Sequence, residues 1–331
     1  QKSRPLPLEG GTKTEKSSSS PINKPTLCLA SLFALISGCS QPAIKPAAID
    51  KETLRISGQD SVSAILDYSV RGHRAYKAGE ADFVSGNYQA AEKNFLVALG
   101  YFNKLLTLSA DAGVYFNRGL CRYYLGQCKQ KSGLDKEALF WFKTAAEDFN
   151  QSISLEPAWQ AYYELGLALY QVCQLSNAGR RDYDKVKDAL RKILEFAEFL
   201  QATNAEKVEV YRALAVACLA SHDYIYSIEY YSDAIGLAPK NGQLYIDRAV
   251  AYVWSQISGW LDLAMADFKQ AAELGAKREV EKIKYELRKK YGVIIPSLED
   301  GSSSPINILQ DKARDQALGA NGRTSSSPVE S

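Results

Sequence analysis

The chain has 331 residues, of which 46% are hydrophobic and 24% are charged, so it can bury a sizeable core in one or two domains. The formal net charge of +2 is close to balance, which gives no electrostatic basis for nucleic-acid binding. Tyrosine is abundant, with 20 residues against 11 phenylalanines, and its amphipathic ring suits half-buried positions on helices.

The first 25 residues show no periodic spacing of apolar side chains. Residues 1–25 are rich in Ser, Lys, Pro and Gly, a composition that predicts disorder. Residues 27–36 are then almost entirely apolar, with Lys24 before them and Ser37-Gly38-Cys39 after them. Because about 20 apolar residues are needed to cross a bilayer, this run is too short for a transmembrane helix. It has the length of the hydrophobic region of a signal peptide; a short buried helix is the alternative.

Residues 36–39, Ile-Ser-Gly-Cys, resemble the bacterial lipobox, in which a small residue precedes a cysteine that becomes the lipidated first residue. The resemblance implies that residues 1–38 include a signal sequence and that Cys39 is lipidated. Residues 39–58 would then be a flexible tether that joins the chain to a membrane. The implied location is the bacterial envelope, facing the periplasm. The alternative is a cytoplasmic protein in which residues 27–36 are a chance apolar stretch.

The middle of the chain repeats a pattern of paired helices. In residues 208–241, two apolar stripes of helical spacing flank a turn at Asp223, and Pro239 ends the second stripe because proline cannot continue a helix. Small residues at Ala215 and Ala234 would let the two helices approach closely. The unit has the length and the residues of a tetratricopeptide repeat (TPR), which it resembles. The matching residues are Tyr211, Ala215, Tyr224, Tyr231, Ala234 and Pro239.

The same pattern recurs on both sides of this unit. Further repeats are predicted at residues 72–105, 112–159, 159–200 and 242–275. The unit at 112–159 is overlong, with extra residues around 128–136, and the second helix of the next unit, near 186–200, fits the pattern poorly. Insertions in a solenoid project from one face, so these two departures are predicted to carry specificity.

The C-terminal part of the repeat region ends in one more helix. Residues 277–291 carry a narrow apolar stripe and an excess of Lys and Arg, which predicts a capping helix. A basic docking surface for anionic lipid or acidic protein is the alternative. Residues 292–331 are predicted to be a disordered tail. The TPR resemblance thus implies an all-α fold, a right-handed α-solenoid over residues 59–291; another helical-hairpin solenoid of similar period is the alternative.

The sequence offers no arrangement of residues that would predict catalysis. It contains no phosphate-binding loop, nucleophile elbow or HExxH motif, and its two histidines, His73 and His222, stand apart. The cysteines lack metal-ligand spacing. We therefore expect no enzyme activity, metal, cofactor or small-molecule substrate; an enzyme subunit completed by a partner is the remaining alternative. Small apolar core positions are predicted for Cys121, Cys128, Cys173 and Cys218, although Cys173 and Cys218 could pair.

The TPR resemblance also implies where a partner would bind. The first helix of each pair lines the concave surface of such a stack. The residues implied to face this groove are Tyr76, Phe83, Phe116, Leu120, Tyr123, Tyr124, Tyr163, Leu167, Tyr170, Arg212, Ile246, Val253 and Trp254. An aromatic row of this kind favours an apolar or proline-rich segment, or an amphipathic helix, although some rings could instead pack against the neighbouring helix. The expected function is a protein-interaction scaffold or adaptor that helps to assemble an envelope complex; a soluble intracellular scaffold or co-chaperone is the alternative.

Overall fold

The computed structural model describes residues 59–296, and every regular element in that part of the chain is helical. Cys39, the predicted signal sequence and tether, and the predicted tail beyond Pro296 lie outside the described residues. The α-helices are α1 (Gln59–Val84), α2 (Tyr88–Leu108), α3 (Ala112–Lys131), α4 (Asp135–Leu155), α5 (Trp159–Leu175), α6 (Asp182–Lys192), α7 (Ala197–Leu200), α8 (Asn204–Ala220), α9 (Tyr224–Leu237), α10 (Gly242–Ser255), α11 (Trp260–Ala271) and α12 (Lys277–Tyr291).

Consecutive helices pack as hairpins joined by short turns. The hairpins are α1–α2, α3–α4, α5–α6, α8–α9 and α10–α11. Each hairpin also packs on the next, through the contacts of α2 with α3, α4 with α5, α6 with α8 and α9 with α10. Because contacts run almost entirely between neighbours along the chain, the described region is an all-α solenoid of helical hairpins. This confirms the predicted fold class.

The two helices of the second hairpin approach each other closely where a glycine of α3 faces an aromatic ring of α4. A Cβ atom added at Gly119 of α3 would lie 2.7 Å from Cε1 of Phe149 on α4. One added at Gly126 would lie 2.8 Å from Cε1 of Phe142. Both rings are fully buried, so each fills the space that the glycine leaves open. The small residues and aromatic residues in this part of the sequence therefore reflect the contacts that close the second hairpin.

The overlong second hairpin has no projecting insertion. Helices α3 and α4 have 20 and 21 residues and are joined by only three residues, with Gly133 at a φ of 74°. The extra residues lengthen both helices and form no projecting insertion, so the expected projection is wrong; that these residues carry specificity stays a prediction. The first hairpin is also long, because α1 has 26 residues and begins at Gln59, well before residue 72.

The third hairpin is irregular in its second half, where the sequence departs from the repeat. Helix α6 has 11 residues and is followed by a 3-10 turn (Ile193–Glu195) and by the single turn α7. Regular structure resumes at α8 through a capping box. There Thr203 Oγ1 accepts from the backbone N–H of Glu206 at 3.3 Å, and Glu206 Oε2 accepts from the backbone N–H of Thr203 at 2.8 Å.

The last helix, α12, spans residues 277–291, the range of the predicted cap, and follows a π-helical turn (Ala272–Ala276). Its apolar stripe, Val280, Ile283 and Leu287, is buried in one cluster with residues of α10 and α11. Most of its lysine and arginine side chains lie on the exposed surface. Within residues 59–296, no helix has both the length and the apolar character that crossing a membrane requires.

Candidate partner-binding surface

Most of the predicted groove residues lie inside the solenoid. Tyr123 is only 2% exposed, because its ring packs 5.4 Å from that of Phe142 between centroids. Phe116 packs in the same way, 5.8 Å from Phe149. The buried members of the predicted groove are Tyr76, Phe116, Leu120, Tyr123, Tyr163, Arg212, Ile246 and Val253. Their side chains fill the contacts between helices, so in this conformation they offer a partner almost no surface, and the groove prediction is corrected for them.

The partly exposed groove residues are Phe83, Tyr124, Leu167, Tyr170 and Trp254. Tyr124 lies at the centre of a cluster built from the first two hairpins. Its ring stacks on Phe95 at 5.0 Å and makes edge contacts with Phe83 at 5.4 Å and Tyr76 at 5.9 Å. We refer to Tyr76, Phe83, Phe95 and Tyr124 as the Tyr124 cluster.

The other partly exposed rings lie further along the solenoid. Tyr170 packs against Tyr183 in the third hairpin, 5.9 Å between centroids. Trp254 meets Tyr291 of the last helix edge-on at 4.7 Å. The structure therefore brings Tyr76, Phe83 and Tyr124 together and leaves Tyr170 and Trp254 in separate surroundings.

Two hairpins carry the same internal ion pair between their first and second helices. Arg118 Nη2 on α3 lies 2.6 Å from Oδ1 of Asp148 on α4, and Nε donates to Oδ2 at 2.9 Å. Arg248 on α10 binds Asp267 on α11 with the same two atoms, at 2.8 and 2.9 Å. In each case the arginine precedes the small residue of the hairpin and the aspartate precedes its buried phenylalanine. That recurrence was available in the sequence and was missed.

Arg212, predicted to face the groove, instead ties two hairpins together. Its Nε donates to Oδ2 of Asp247 at 2.9 Å, and Gln243 Nε2 donates to Oδ1 of the same carboxylate at 2.7 Å. Asp247 is completely buried, and burial raises its pKa although Arg212 opposes the shift. The arginine therefore joins α8 to α10 rather than serving a ligand.

Glu164 on α5 is a polar group that the sequence reasoning missed. It is 4% exposed, and its Oε2 atom has no hydrogen-bond partner among the described residues. Burial raises the pKa of this carboxyl to about 8. Burial also raises the pKa of Tyr76, Tyr124 and Tyr163, and the charge of Glu164 adds to each shift, so Glu164 lies within electrostatic range of these hydroxyls. The available signal was that Glu164 is the single charged residue of α5.

Cys121, Cys128, Cys173 and Cys218 are all free and buried, which confirms that they are core residues. Burial raises the pKa of Cys128 to about 12 and those of Cys173 and Cys218 to about 11. Among the described residues 59–296, His, Cys, Asp and Glu side chains form no group of three or more that could hold a metal ion.

No family model matches the sequence, and no curated protein matches it. Solved structures with similar folds include YrrB, described as a TPR protein with an unusual peptide-binding site, at 15% identity and a TM-score of 0.41 over 69% of this chain and 100% of that one. The crystal structure of MamA is 18% identical, with a TM-score of 0.37 over 68% of this chain and 98% of MamA. PilF of Pseudomonas aeruginosa is 14% identical, with a TM-score of 0.40 over 76% of this chain and 99% of PilF. At these identities and TM-scores the likenesses carry no argument about the function of this chain.

Proposed function

We propose that this chain is a protein-interaction scaffold that binds a segment of a partner protein at the Tyr124 cluster. The observation that carries the proposal is the contact of Phe83 with Tyr124, because both rings remain partly exposed while most neighbouring aromatics are buried. Such rings present apolar surface at a small entropic cost. The favoured partner segment is apolar or proline-rich, or is an amphipathic helix.

The Tyr124→Ala variant tests this binding surface. Full-length wild type and variant are used to recover partners from membrane fractions, and the recovered proteins are quantified by mass spectrometry. We expect Tyr124→Ala to weaken binding of at least one partner about 30-fold and to lower its recovery accordingly, since a central aromatic contact typically contributes about 2 kcal/mol or more to binding.

Tyr226→Ala is the matched control, because Tyr226 is 53% exposed on α9, away from the Tyr124 cluster. It should recover every partner as wild type does. Thermal melts of both variants check that the solenoid stays folded. Equal recovery of all partners by wild type and a folded Tyr124→Ala variant would argue against this surface.

We further propose that lipidated Cys39 anchors the scaffold to a membrane of the bacterial envelope, where it helps to assemble an envelope complex. The apolar run at residues 27–36 and the lipobox-like residues 36–39 support this proposal. The first helix of the described residues begins at Gln59. A tether over residues 39–58 could reach about 65 Å when fully extended, which would let the solenoid meet partners at a distance from the bilayer.

Metabolic labelling with a palmitate analogue in bacterial cells tests the anchor. We expect the wild-type chain to be labelled and to sediment with membranes, and Cys39→Ser to lose the label completely because no other residue can replace the modified thiol. Cys28→Ser is the matched control and should stay labelled, since Cys28 lies within the segment that is removed. An unlabelled wild-type chain in the soluble fraction, with residues 1–38 retained, would favour the intracellular scaffold instead.

A further inference from the structure

The Oε2 atom of Glu164 is buried without a hydrogen-bond partner among the described residues, and the charge of Glu164 acts on Tyr76 and Tyr124 of the proposed binding surface. Burial of a polar atom without a hydrogen bond opposes folding, and buried carboxylates in proteins are normally paired. Every other buried residue of α5 is uncharged, so Glu164 is the single buried ionisable carboxyl on this helix. A carboxyl group in such a place fits a ligand that supplies the missing partner.

The surroundings of Glu164 favour a cation over other ligands. The nearby rings Tyr76 and Tyr124 belong to the Tyr124 cluster, and aromatic faces attract positive charge. The charge of Glu80 on α1 also acts on both of these hydroxyls, but Glu80 is already paired with Lys77, so Glu164 is the acidic group with the unpaired oxygen. The charges of Glu209 and Arg212 on α8 act on Tyr163, as the charge of Glu164 does, and Arg212 is bound to Asp247.

The chain itself shows an ammonium group held in this way. Lys77 Nζ lies 5.7 Å from the centroid of the Tyr76 ring and forms a salt bridge with Glu80. One cation is therefore already placed between an aromatic face of the Tyr124 cluster and a carboxylate. Glu164 offers a second carboxylate to the same cluster, and its Oε2 atom is unpaired.

We propose that Glu164 binds a lysine or arginine side chain of the partner segment, whose alkyl stem lies against Tyr124 and Phe83. This inference rests on the proposed function, and it names the partner as one with a basic residue within an otherwise apolar segment. Glu164 is 4% exposed, so a partner reaches its carboxyl group only with a long basic side chain and only if the partly exposed rings of Phe83 and Tyr124 move aside. An acidic or wholly apolar segment would leave the carboxyl group unsatisfied.

Binding of a cation should release a proton. With its pKa raised to about 8, Glu164 is largely protonated at pH 7 in the free protein. Pairing with an ammonium or guanidinium group favours the ionised form, so the proton must leave on binding. Because the ionised fraction falls about tenfold for each pH unit below the pKa, affinity should fall with it. Above pH 8 the affinity should become independent of pH.

Selection from a phage library of random 12-residue peptides on the immobilised full-length chain tests the inference. We expect peptides enriched on wild type to carry Lys or Arg at one preferred position, and this preference to disappear on Glu164→Gln. Glu198→Gln, a change at an exposed residue of α7, is the matched control and should behave as wild type. Enriched peptides without a basic preference, or a preference that survives in Glu164→Gln, would overturn the inference and leave the scaffold proposal standing. No enrichment on wild type would overturn both.

An enriched peptide then provides a second measurement. Its Kd for wild type should rise about tenfold from pH 7 to pH 6, and its Kd for Glu164→Gln should stay constant over that range. Glu164→Gln should melt no lower than wild type at pH 7, because glutamine keeps the shape and removes only the ionisation. A pH-independent Kd for wild type would overturn the role of Glu164 even if basic peptides were enriched.

Discussion

Replacing Asp148 by alanine is expected to lower the free energy of unfolding by about 3–5 kcal/mol, the cost of leaving buried charges without their partner. Asp148 is almost fully buried and binds both Arg118 and Arg122, with its Oδ2 atom 2.9 Å from Nη1 of Arg122. Burial raises the pKa of Asp148 although both guanidinium groups oppose the shift. Desolvation therefore exceeds the attraction, yet removal of the carboxylate would still leave two guanidinium groups in place.

Urea unfolding followed by circular dichroism measures this loss, with the slope of the transition compared between variants. Glu147→Ala is the matched control, because Glu147 is the exposed neighbour of Asp148 on the same helix, and its effect should stay within about 0.5 kcal/mol. The loss of unfolding free energy for Asp148→Asn should lie between those of Asp148→Ala and Glu147→Ala, since the amide keeps one acceptor oxygen. A loss below 1 kcal/mol for Asp148→Ala would show that the ion pair does not hold α3 to α4.

The Gly166→Ala variant is expected to destabilise the third hairpin by about 1–3 kcal/mol. An added Cβ atom would lie 2.5 Å from Cδ2 and 2.6 Å from Cγ of Leu190 on α6. Leu190 is 1% exposed, so the packed core leaves its side chain no space to move away. This steric cost outweighs the gain of about 1 kcal/mol that alanine normally brings to a helix interior.

Gly100→Ala is the matched control in α2, where an added Cβ atom would meet nothing within 4 Å. It should stabilise the protein by up to about 1 kcal/mol, so the two glycine substitutions are expected to differ in sign. The double variant Gly166→Ala/Leu190→Ala should lose less unfolding free energy than the two single variants lose in sum, because the smaller side chain at position 190 relieves the clash. Additive effects would contradict a direct contact between these positions.

The sequence predicts the hairpins well because their signals are local. Small residues such as Gly119 mark the face of a first helix that meets the second helix of its hairpin, and the poor match near residues 186–200 corresponds to the break after α6. Exposure was harder to predict. Tyr123 and Tyr124 are adjacent in the sequence, yet Tyr123 is buried and Tyr124 is not. Periodicity gives the face of one helix; whether a neighbouring helix covers that face depends on the stacking of hairpins.

The charged interior escaped prediction for a related reason. Arg118 and Asp148 are 30 residues apart, whereas Arg248 and Asp267 are 19 apart, because the second hairpin has the longer helices. A search at one fixed spacing therefore finds only one of the two pairs. Glu164 escaped because a lone glutamate on a helix is normally solvated.

The buried cysteines provide the protein with its own reporters of local opening. Cys121 and Cys128 lie in the second hairpin, Cys173 in the third and Cys218 in the fourth. Thiol reagents attack the exposed thiolate, so each site should react only when its hairpin opens. A stack held together by nearest-neighbour contacts can open in parts rather than as one unit. The relative modification rates at these thiols, read peptide by peptide, would therefore report how cooperatively the solenoid unfolds without any engineered probe.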